Sequence, residues 1–519
     1  MSSECHPLPS LGPNDEANRT LLQHVHPSDW VNPQSDGRYN LVVLGAGTAG
    51  LVTAVIGASV GAKVALVERA LMGGDCLNVG CVPSKALIRA AKAWADVRRA
   101  QEFGVQVSAD TEFDFGVVMA RMRRLRADIS PHDSAARYRS LGVDVYIGDG
   151  RFVDAETIAV TGQAGDRRLS FVKAVICTGA RAAAPNIPGL ADVGYLTNET
   201  VFGLTERPAR LVVIGAGPIG CELAQAFARF GSAVTLLERH TGILPKDDRE
   251  AAAIVEAALR RDGVELVFGA EVRRVEQGGH DKRVIVQVGG TTRVVETDAI
   301  LVGVGRAPNV EGLELEQVGV QYDAKGVTVN DHLQTSHPRI FAAGDVCSAY
   351  KFTHAADAMA QLVIQNALFP HPFGLGRGRL SGLTIPWATY TQPELAQVGR
   401  TAADAVAAGL SIETYTYPMR DVDRARLDGD DEGFVRIHVQ QGTDRVVGAT
   451  IVATHAGDLI GTWSILMKAG LGTKTVASAI LPYPTQAEVH KKVVNLWRKA
   501  HFTPRMKAWL TRLFAWMRR

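Results

Sequence analysis

Two stretches of this chain repeat one pattern of apolar runs and glycine breaks. Residues 41–69 read LVVLGAGTAGLVTAVIGASVGAKVALVER and residues 211–239 read LVVIGAGPIGCELAQAFARFGSAVTLLER, aligned without a gap at an offset of 170. Each predicts an apolar strand, a Gly-x-Gly-x-x-Gly turn, a helix and a second strand ending in Glu-Arg. Leu41 to Ala62 carries no charge over twenty-two residues, enough for a hydropathy window to read a membrane span. Gly45, Gly47 and Gly50 break it instead into strand, turn and helix. The alanine-rich run from Ala86 to Ala100 reads as a further helix. Residues 101–170 alternate charged helical stretches with short strands such as Val143–Ile147, and Ala174 to Gly179 and Ala299 to Gly305 read as matching strands. From about residue 380 alternating strands take over, Phe434–Val439 and Val446–Val452 among them. Near the end, Met506, Trp509, Leu510, Leu513, Phe514 and Met517 recur at three- and four-residue spacing, one face of a helix. Residues 1–38 are polar, hold prolines at 7, 9, 13, 27 and 33, and show no apolar period, which predicts an irregular arm.

The glycine turns gain meaning from their surroundings. A strand before, a helix after and an acid about 20 residues on make the dinucleotide-binding pattern. Gly45, Gly47 and Gly50, and again Gly215, Gly217 and Gly220, let the backbone approach a pyrophosphate at a helix N-terminus. Glu68 and Glu238 then face ribose hydroxyls. Two such patterns imply two dinucleotides, as in a flavoenzyme that also takes a pyridine nucleotide. A length of 519 residues suggests roughly three domains, and 52 glycines suit tight turns against phosphates. A net charge of +2 argues against nucleic acid as a partner. Six cysteines in so long a chain do not form a secreted disulfide scaffold, and Cys5, Cys177, Cys221 and Cys347 are expected to be reduced or inert. No charged-then-apolar signal pattern opens the sequence, so the cytoplasm is the default expectation.

The other two cysteines lie in residues 73–85, GGDCLNVGCVPSK. The second, Cys81, falls in the first turn of the alanine-rich helix, where unpaired amides and the positive end of the dipole favour thiolate over thiol. Lys85 adds a full positive charge nearby. Together Cys76 and Cys81 read as a redox-active dithiol. No second Cys or His pair stands at ligand spacing, so no metal site is expected. A structural disulfide would close only a tiny loop and constrain little of the unfolded chain.

The motif Gly-Gly-x-Cys-x-Asn-x-Gly-Cys-x-Pro-x-Lys resembles the active-site segment of the pyridine nucleotide-disulfide oxidoreductases, among them dihydrolipoyl dehydrogenase, glutathione reductase and mercuric reductase. The resemblance extends over roughly residues 38–500. AVICTG at 174–179, with Pro185 and the Ile187-Pro188-Gly189 turn, resembles the family's hinge out of the flavin domain. RIFAAGD at 339–345 resembles its second flavin motif, and PYPTQAE at 482–488 a segment of its dimerisation domain. The implied fold class is α/β, with two Rossmann-like dinucleotide-binding domains for FAD and NAD(P) and an α+β C-terminal dimerisation domain. The implied boundaries are an arm at 1–38, an FAD-binding domain at 39–190 and 320–379, an NAD(P)-binding domain at 191–319, a dimerisation domain at 380–500 and a basic amphipathic tail at 501–519.

Residue by residue, the resemblance implies that Cys76 is the exposed thiol that attacks substrate and that Cys81 lies against the flavin. Lys85 would sit near the flavin and pair with Glu222. Gly74, Gly150, Thr178, Gly179, Gly305, Asp345, Lys351 and His354 are the further implied cofactor contacts. Electrons would pass from the nicotinamide to FAD, to the Cys76–Cys81 disulfide and on to an acceptor. Glu238 favours NAD(H) over NADP(H), because it accepts from a 2′-hydroxyl and repels a 2′-phosphate. Arg239 and His240 could accommodate that phosphate, but Arg69 holds the same place in the first repeat, where no such phosphate exists. In the family a second copy completes the active site, so a homodimer is expected.

The acceptor turns on Tyr483. Dihydrolipoyl dehydrogenase and glutathione reductase carry a histidine in this frame that moves the substrate thiol's proton, whereas here Tyr483 precedes Pro484, and Glu488, which would orient the base, is retained. A tyrosine here resembles mercuric reductase, where thiolate-bound metal needs no proton relay; yet those enzymes also carry a C-terminal cysteine pair, and no cysteine follows Cys347. His132 is a candidate replacement base, with a solvated loop histidine as the alternative. The implied activity is therefore a mercuric reductase-like oxidoreductase acting on a metal, disulfide or quinone. Three other readings stay open: a dihydrolipoyl dehydrogenase or other disulfide reductase, a flavoprotein redox sensor, and a membrane-surface carrier to a quinone or protein disulfide. For the last, the tail offers Arg505, Lys507, Arg512, Arg518 and Arg519 to an anionic surface; packing on its own dimerisation domain is the alternative.

Overall fold

The computed structural model describes residues 11–108, 110–162, 165–279 and 281–519, so Cys5 lies outside the described residues. The chain divides into two compact units, residues up to 239 with 263–383, and residues 240–262 with 384–519. The first unit opens on a helix that the polar composition hid, α1 (Glu16–Val25). Asp15 caps it by accepting the Asn18 N–H at 2.9 Å, and Leu21 and Val25 are buried. The expectation of an irregular arm is corrected here: a cap and two apolar anchors four residues apart suffice once tertiary contacts hold the helix.

The chain continues through β1 (Tyr39–Leu44), α2 (Thr48–Ser59), β2 (Val64–Glu68), α3 (Gly74–Asn78), α4 (Cys81–Arg99), α5 (Phe115–Ile129), β3 (Val143–Ile147), β4 (Asp149–Asp154), β5 (Thr157–Thr161) and β6 (Arg167–Ile176). These strands form one sheet in the order β3-β2-β1-β6-β5-β4. β3, β2, β1 and β6 run parallel. Parallel strands are covered on both faces, which is why residues 41–44 and 64–68 are buried without alternation. The second repeat builds β7 (Arg210–Ile214), α6 (Pro218–Arg229) and β8 (Ala233–Glu238). β9 (Glu265–Phe268) then leads into an antiparallel meander of β10 (Ala270–Gly278), β11 (Asp281–Val288) and β12 (Thr291–Thr297), followed by β13 (Ala299–Val302). The order β9-β8-β7-β13 makes a second parallel sheet. β14 (Ile340–Ala342) returns to the first sheet beside β6, and α7 (Thr353–Leu368) packs on α2. The sequence repeat is thus a structural repeat, down to the positive φ of its first glycines, +99° at Gly45 and +103° at Gly215.

The second unit is an antiparallel sheet of β15 (Pro386–Thr389), β16 (Glu394–Gly399), β17 (Ile412–Pro418), β18 (Phe434–Gln440) and β19 (Val446–Ala453), in the order β15-β16-β19-β18-β17. α8 (Ala456–Lys468) and α9 (Glu488–His501) cover it, and α10 (Pro504–Met517) ends the chain. The helix Arg249–Arg261 belongs to this unit, held where Arg436 Nη1 meets Asp248 at 2.8 Å and the Trp387 indole donates to Asp247 at 2.7 Å. No helix among the described residues is long and apolar enough to cross a membrane.

One buried group makes this unit acid-sensitive. His490 on α9 is 1% exposed, stands edge-on to Trp463, and neither ring nitrogen has a hydrogen-bond partner. Burial lowers its pKa to about 4. The unfolded imidazole titrates near 6.5, so the associated stability is complete above about pH 6.5 and lost as pH falls toward about 4, roughly 3 kcal/mol in all. Thermal unfolding between pH 7.5 and 4.5 should therefore fall more steeply for wild type than for His490→Phe; equal slopes would contradict this account.

Candidate active site

The dithiol segment is positioned by contacts too close for side chains. Gly73 and Gly74 both take positive φ, +87° and +54°, and a Cβ on Gly74 would lie 2.6 Å from the Gly47 Cα. The redox segment is thus laid directly on the central glycine of the first nucleotide turn. The arm and α5 hold it from the other side. The Met72 N–H donates to the Val25 carbonyl at 3.0 Å. Arg126, 1% exposed, donates at 2.6 Å to both the Asn78 carbonyl and the Asn18 side chain, and burial lowers its pKa to about 10. α1 is therefore part of the scaffold of the redox loop.

The two thiols are electrostatically unequal. A hydrogen bond from Cys76 is the largest cause that lowers Cys81 to about pH 6; Thr353, 3.4 Å from its sulfur, and Lys85 add to it against desolvation. The same hydrogen bond, with burial, pushes Cys76 up. The surroundings thus favour ionisation of Cys81 over Cys76. In the single chain Cys76 is half-buried and Cys81 exposed. Gly80 closes a tight turn over Asp75 and Cys76, its Cβ position only 2.7 Å from the Asp75 carbonyl oxygen, while Cys81 stands at the open end of α4. One turn on, Lys85 Nζ meets Glu222 Oε2 at 2.9 Å, and this carboxylate on α6 is buried. Cys177 and Cys347 are raised by burial, Cys347 to about 12, which fits inert thiols.

Both nucleotide turns have the same internal bracing. Glu68 Oε2 accepts the Ala46 N–H at 2.6 Å, and Glu238 Oε2 accepts the Ala216 N–H at 2.8 Å. Gly50 and Gly220 pack against the carbonyls of Gly45 and Gly215 in turn. α2 and α6 begin at Gly47 and Gly217 with no side chain capping their first amides. Elsewhere, Asp345 is raised by burial, and Arg306 Nε stands 3.6 Å from its Oδ2 while Nη2 holds Asp75. Lys351 Nζ donates to the Asp345 carbonyl at 2.7 Å, and His354 stacks on Phe352. Thr178 and Gly179 clasp Asn309 through three hydrogen bonds of 2.6–3.0 Å, next to the positive-φ Gly305. Gly150 is packed on Leu44 and Val67, which accounts for its lack of a side chain by core packing. His132 is exposed in a short 3-10 turn, Ser130–Asp133.

In the second unit the Tyr483 hydroxyl donates to Asp423 Oδ2 at 3.0 Å, which raises the phenol's pKa. Glu488 is drawn to Lys492, Oε1 to Nζ at 3.6 Å, and its Oε2 is buried without a partner.

Residues 39–360 match the pyridine nucleotide-disulphide oxidoreductase family, and residues 385–494 match that family's dimerisation domain. The chain belongs to this family. It is 35% identical to mercuric reductase from Staphylococcus aureus over 87% of this chain and 81% of that one. It is 32% identical to dihydrolipoyl dehydrogenase from Geobacillus stearothermophilus over 86% of this chain and 94% of that one. Among solved structures, LpdA from Mycobacterium tuberculosis superposes with a TM-score of 0.80 at 26% identity, covering 88% of this chain and 99% of that one. The HOCl-induced flavoprotein disulfide reductase RclA from Escherichia coli gives 0.77 at 28% identity, covering 88% and 100%. The chain is a mercuric reductase-like flavoprotein disulfide oxidoreductase, and FAD and a pyridine nucleotide are the cofactors expected of its family.

The residues present fit both groups. The uncapped amides at Gly47 and Gly217 suit pyrophosphates, and a Cβ on Gly217 would meet nothing within 4 Å. One residue of this oxidoreductase site escaped sequence reasoning. Arg306 reads only as the residue that follows a strand, and its partner, Asp75, lies more than two hundred residues away in sequence. The thiolate assignment is checked with the two-electron-reduced holoenzyme. Cys81→Ser is expected to abolish the long-wavelength thiolate–flavin absorption, and in Cys76→Ser that absorption should persist without added reductant. The opposite pattern would exchange the two roles.

Proposed function

We propose that this oxidoreductase draws two electrons from NADH and passes them through the Cys76–Cys81 dithiol to an acceptor that requires no proton from residue 483. FAD, when bound, supplies the two-electron relay between nicotinamide and dithiol. The observation that carries the proposal is the Tyr483 phenol, raised by Asp423 and so further from neutrality than a free tyrosine. An imidazole at this frame would be close to ideal as a general acid and base, and a phenol is not. The engagement of Glu488 with Lys492 supports the same reading. Glu238, buried at the end of β8, supports NADH, since a carboxylate there accepts from a ribose hydroxyl and repels a 2′-phosphate. Lipoamide turnover is the test. Wild type should lie about 10²–10⁴ below Tyr483→His, the range that a positioned proton transfer supplies, and should prefer NADH to NADPH. Wild-type turnover at the histidine variant's level would end the acceptor reading, and a tenfold kcat/KM preference for NADPH would end the donor reading.

The proposal extends to where the enzyme works. No residue of α10 is buried, and Trp509, Phe514, Trp516 and Met517 are exposed large hydrophobics. From Val489 to Arg519 there are nine Lys and Arg residues and no acid. At about 100° per residue, Met506, Trp509, Leu510, Leu513, Phe514 and Met517 share one face, with Arg505, Lys507 and Arg512 along its edges. A basic helix with a tryptophan-bearing apolar face suits the interface of an anionic bilayer. Full-length enzyme should co-sediment with phosphatidylserine-containing vesicles at low salt, and a truncation at Thr503 should not. Equal partitioning of the two would remove the membrane from the proposal.

A further inference from the structure

The Pro131-His132-Asp133 turn holds a group that the site described above leaves unused. His132 is exposed, but the next residue, Asp133, is half-buried against the redox segment. Its Oδ2 stands 3.0 Å from where a Cβ on Gly73 would lie, a position that Leu77 also crowds at 2.6 Å. Gly73 and Cys76 are the first and fourth residues of the turn that opens α3, a spacing at which side-chain positions are neighbours. The Asp133 turn is fixed from three sides. His24 Nδ1 of α1 lies 2.7 Å from Ser130 Oγ, which donates to the Ala127 carbonyl of α5 at 2.7 Å. From the helix Ala135–Ser140, Arg137 donates to the His132 carbonyl at 2.5 Å. The carboxylate itself makes no hydrogen bond or ion pair among the described residues.

The charged and titratable groups that face Asp133 are few. They are His132 beside it, Arg137 and Tyr138 on the helix Ala135–Ser140, and Cys76 on the redox segment. On the other elements packed against the turn, His24 is bonded to Ser130, Arg123 is paired with Asp15, and Arg126 is shared by Asn18 and Asn78. Burial raises Asp133, Arg137 and His132 work against that, and the open side of the turn keeps the carboxylate ionised near neutrality. Opposite charges therefore flank the dithiol. Lys85 favours the thiolate of Cys81, whereas Asp133 is among the groups that push Cys76 up. Lys85 is itself paired with Glu222, which works against the Cys81 thiolate, so the ammonium alone does not order the two thiols. A structural aspartate would cap a helix or pair with a cation, and Asp133 does neither. No group of three metal-ligating side chains occurs among the described residues.

We infer that Asp133 is a positioning residue of the dithiol: its negative charge keeps the proton on Cys76 and leaves the thiolate to Cys81, the member expected against the flavin. This rests on the dithiol pathway proposed above and adds the residue that orders its two thiols. The order serves both ends of the pathway. Charge on Cys81 holds the electron pair on the cofactor side. A proton on Cys76 keeps the outer sulfur a weak nucleophile until it is lost, which makes attack on an acceptor quicken with rising pH.

The test reads each thiol alone, in FAD-loaded holoenzyme carrying Cys81→Ser or Cys76→Ser. Alkylation by iodoacetamide is followed between about pH 6 and 10 and located by peptide mass spectrometry. Added to Cys81→Ser, Asp133→Asn should move the midpoint of the Cys76 profile down by about one pH unit and speed alkylation at neutral pH about tenfold. Added to Cys76→Ser, the same change should move the Cys81 profile less than half as far. Asp133→Glu, which keeps the charge, should leave both profiles near their starting places. Iodoacetate supplies a reading that needs no Asp133 variant: in Cys81→Ser its rate relative to iodoacetamide should rise with salt, as the repelling charge is screened. An unmoved Cys76 profile, equal shifts at both thiols, or a ratio indifferent to salt overturns the inference. So does an Asp133→Glu shift as large as that of Asp133→Asn, since shape rather than charge would then be at work. Wild-type holoenzyme is titrated with NAD(P)H in parallel. If no thiolate–flavin absorption forms there, the dithiol pathway itself fails; if it forms and the Cys76 profile ignores Asp133→Asn, only the role of Asp133 fails.

Discussion

The ion pair of Lys85 with Glu222 is the constraint on which the redox site depends. Lys85 lies one helical turn beyond Cys81 on α4, and Glu222 lies in the first helix of the second nucleotide repeat. The buried carboxylate requires a cation, since a lone charge there would carry an uncompensated desolvation cost. Meeting that need at 2.9 Å pins the dithiol helix to the second repeat. The same ammonium favours the thiolate of Cys81. One side chain thus anchors the dithiol helix and also contributes to the charge of the redox centre.

The two nucleotide repeats share their bracing and differ in what lies over their turns. Gly47 is faced by Gly74, so the first turn carries the redox segment on its back, whereas the Cβ position of Gly217 is open. The arm completes the arrangement around the first turn. Arg126 has its guanidinium shared between Asn78 of the redox segment and Asn18 of α1, which places polar atoms from three elements at one buried point. Removing α1 would leave a buried cation short of a partner, so its polar sequence serves a structural end that hydropathy does not register.

What was legible in the sequence followed from local periodicity and fixed spacing. Both strand–turn–helix repeats, the helix that starts at Cys81, and α10 are encoded in residues within about thirty positions of one another. What was not legible depends on partners far away. α1 has only a short apolar face, with Leu21 and Val25 buried, and the rest of its hold comes from Arg123 and Arg126, more than a hundred residues on. Residues 240–262 fall inside the implied NAD(P)-binding boundaries of 191–319, yet group with the C-terminal strands through Asp247 and Asp248.

Tyr483 sharpens the chemistry when the two tasks of a catalytic histidine are separated. One task is to take the proton from the attacking thiol; the other is to give a proton to the leaving group. For the first, the dithiol's own surroundings favour the thiolate of Cys81, through the hydrogen bond from Cys76, Thr353 and Lys85, and push Cys76 up. The second task is left to a phenol tied to Asp423 and pushed away from neutrality. On the proposed reading, the burden falls on an acceptor that leaves as a stable anion or needs no proton at all. On the same reading, a tyrosine at this frame is a filter on leaving groups rather than a general loss of reducing power.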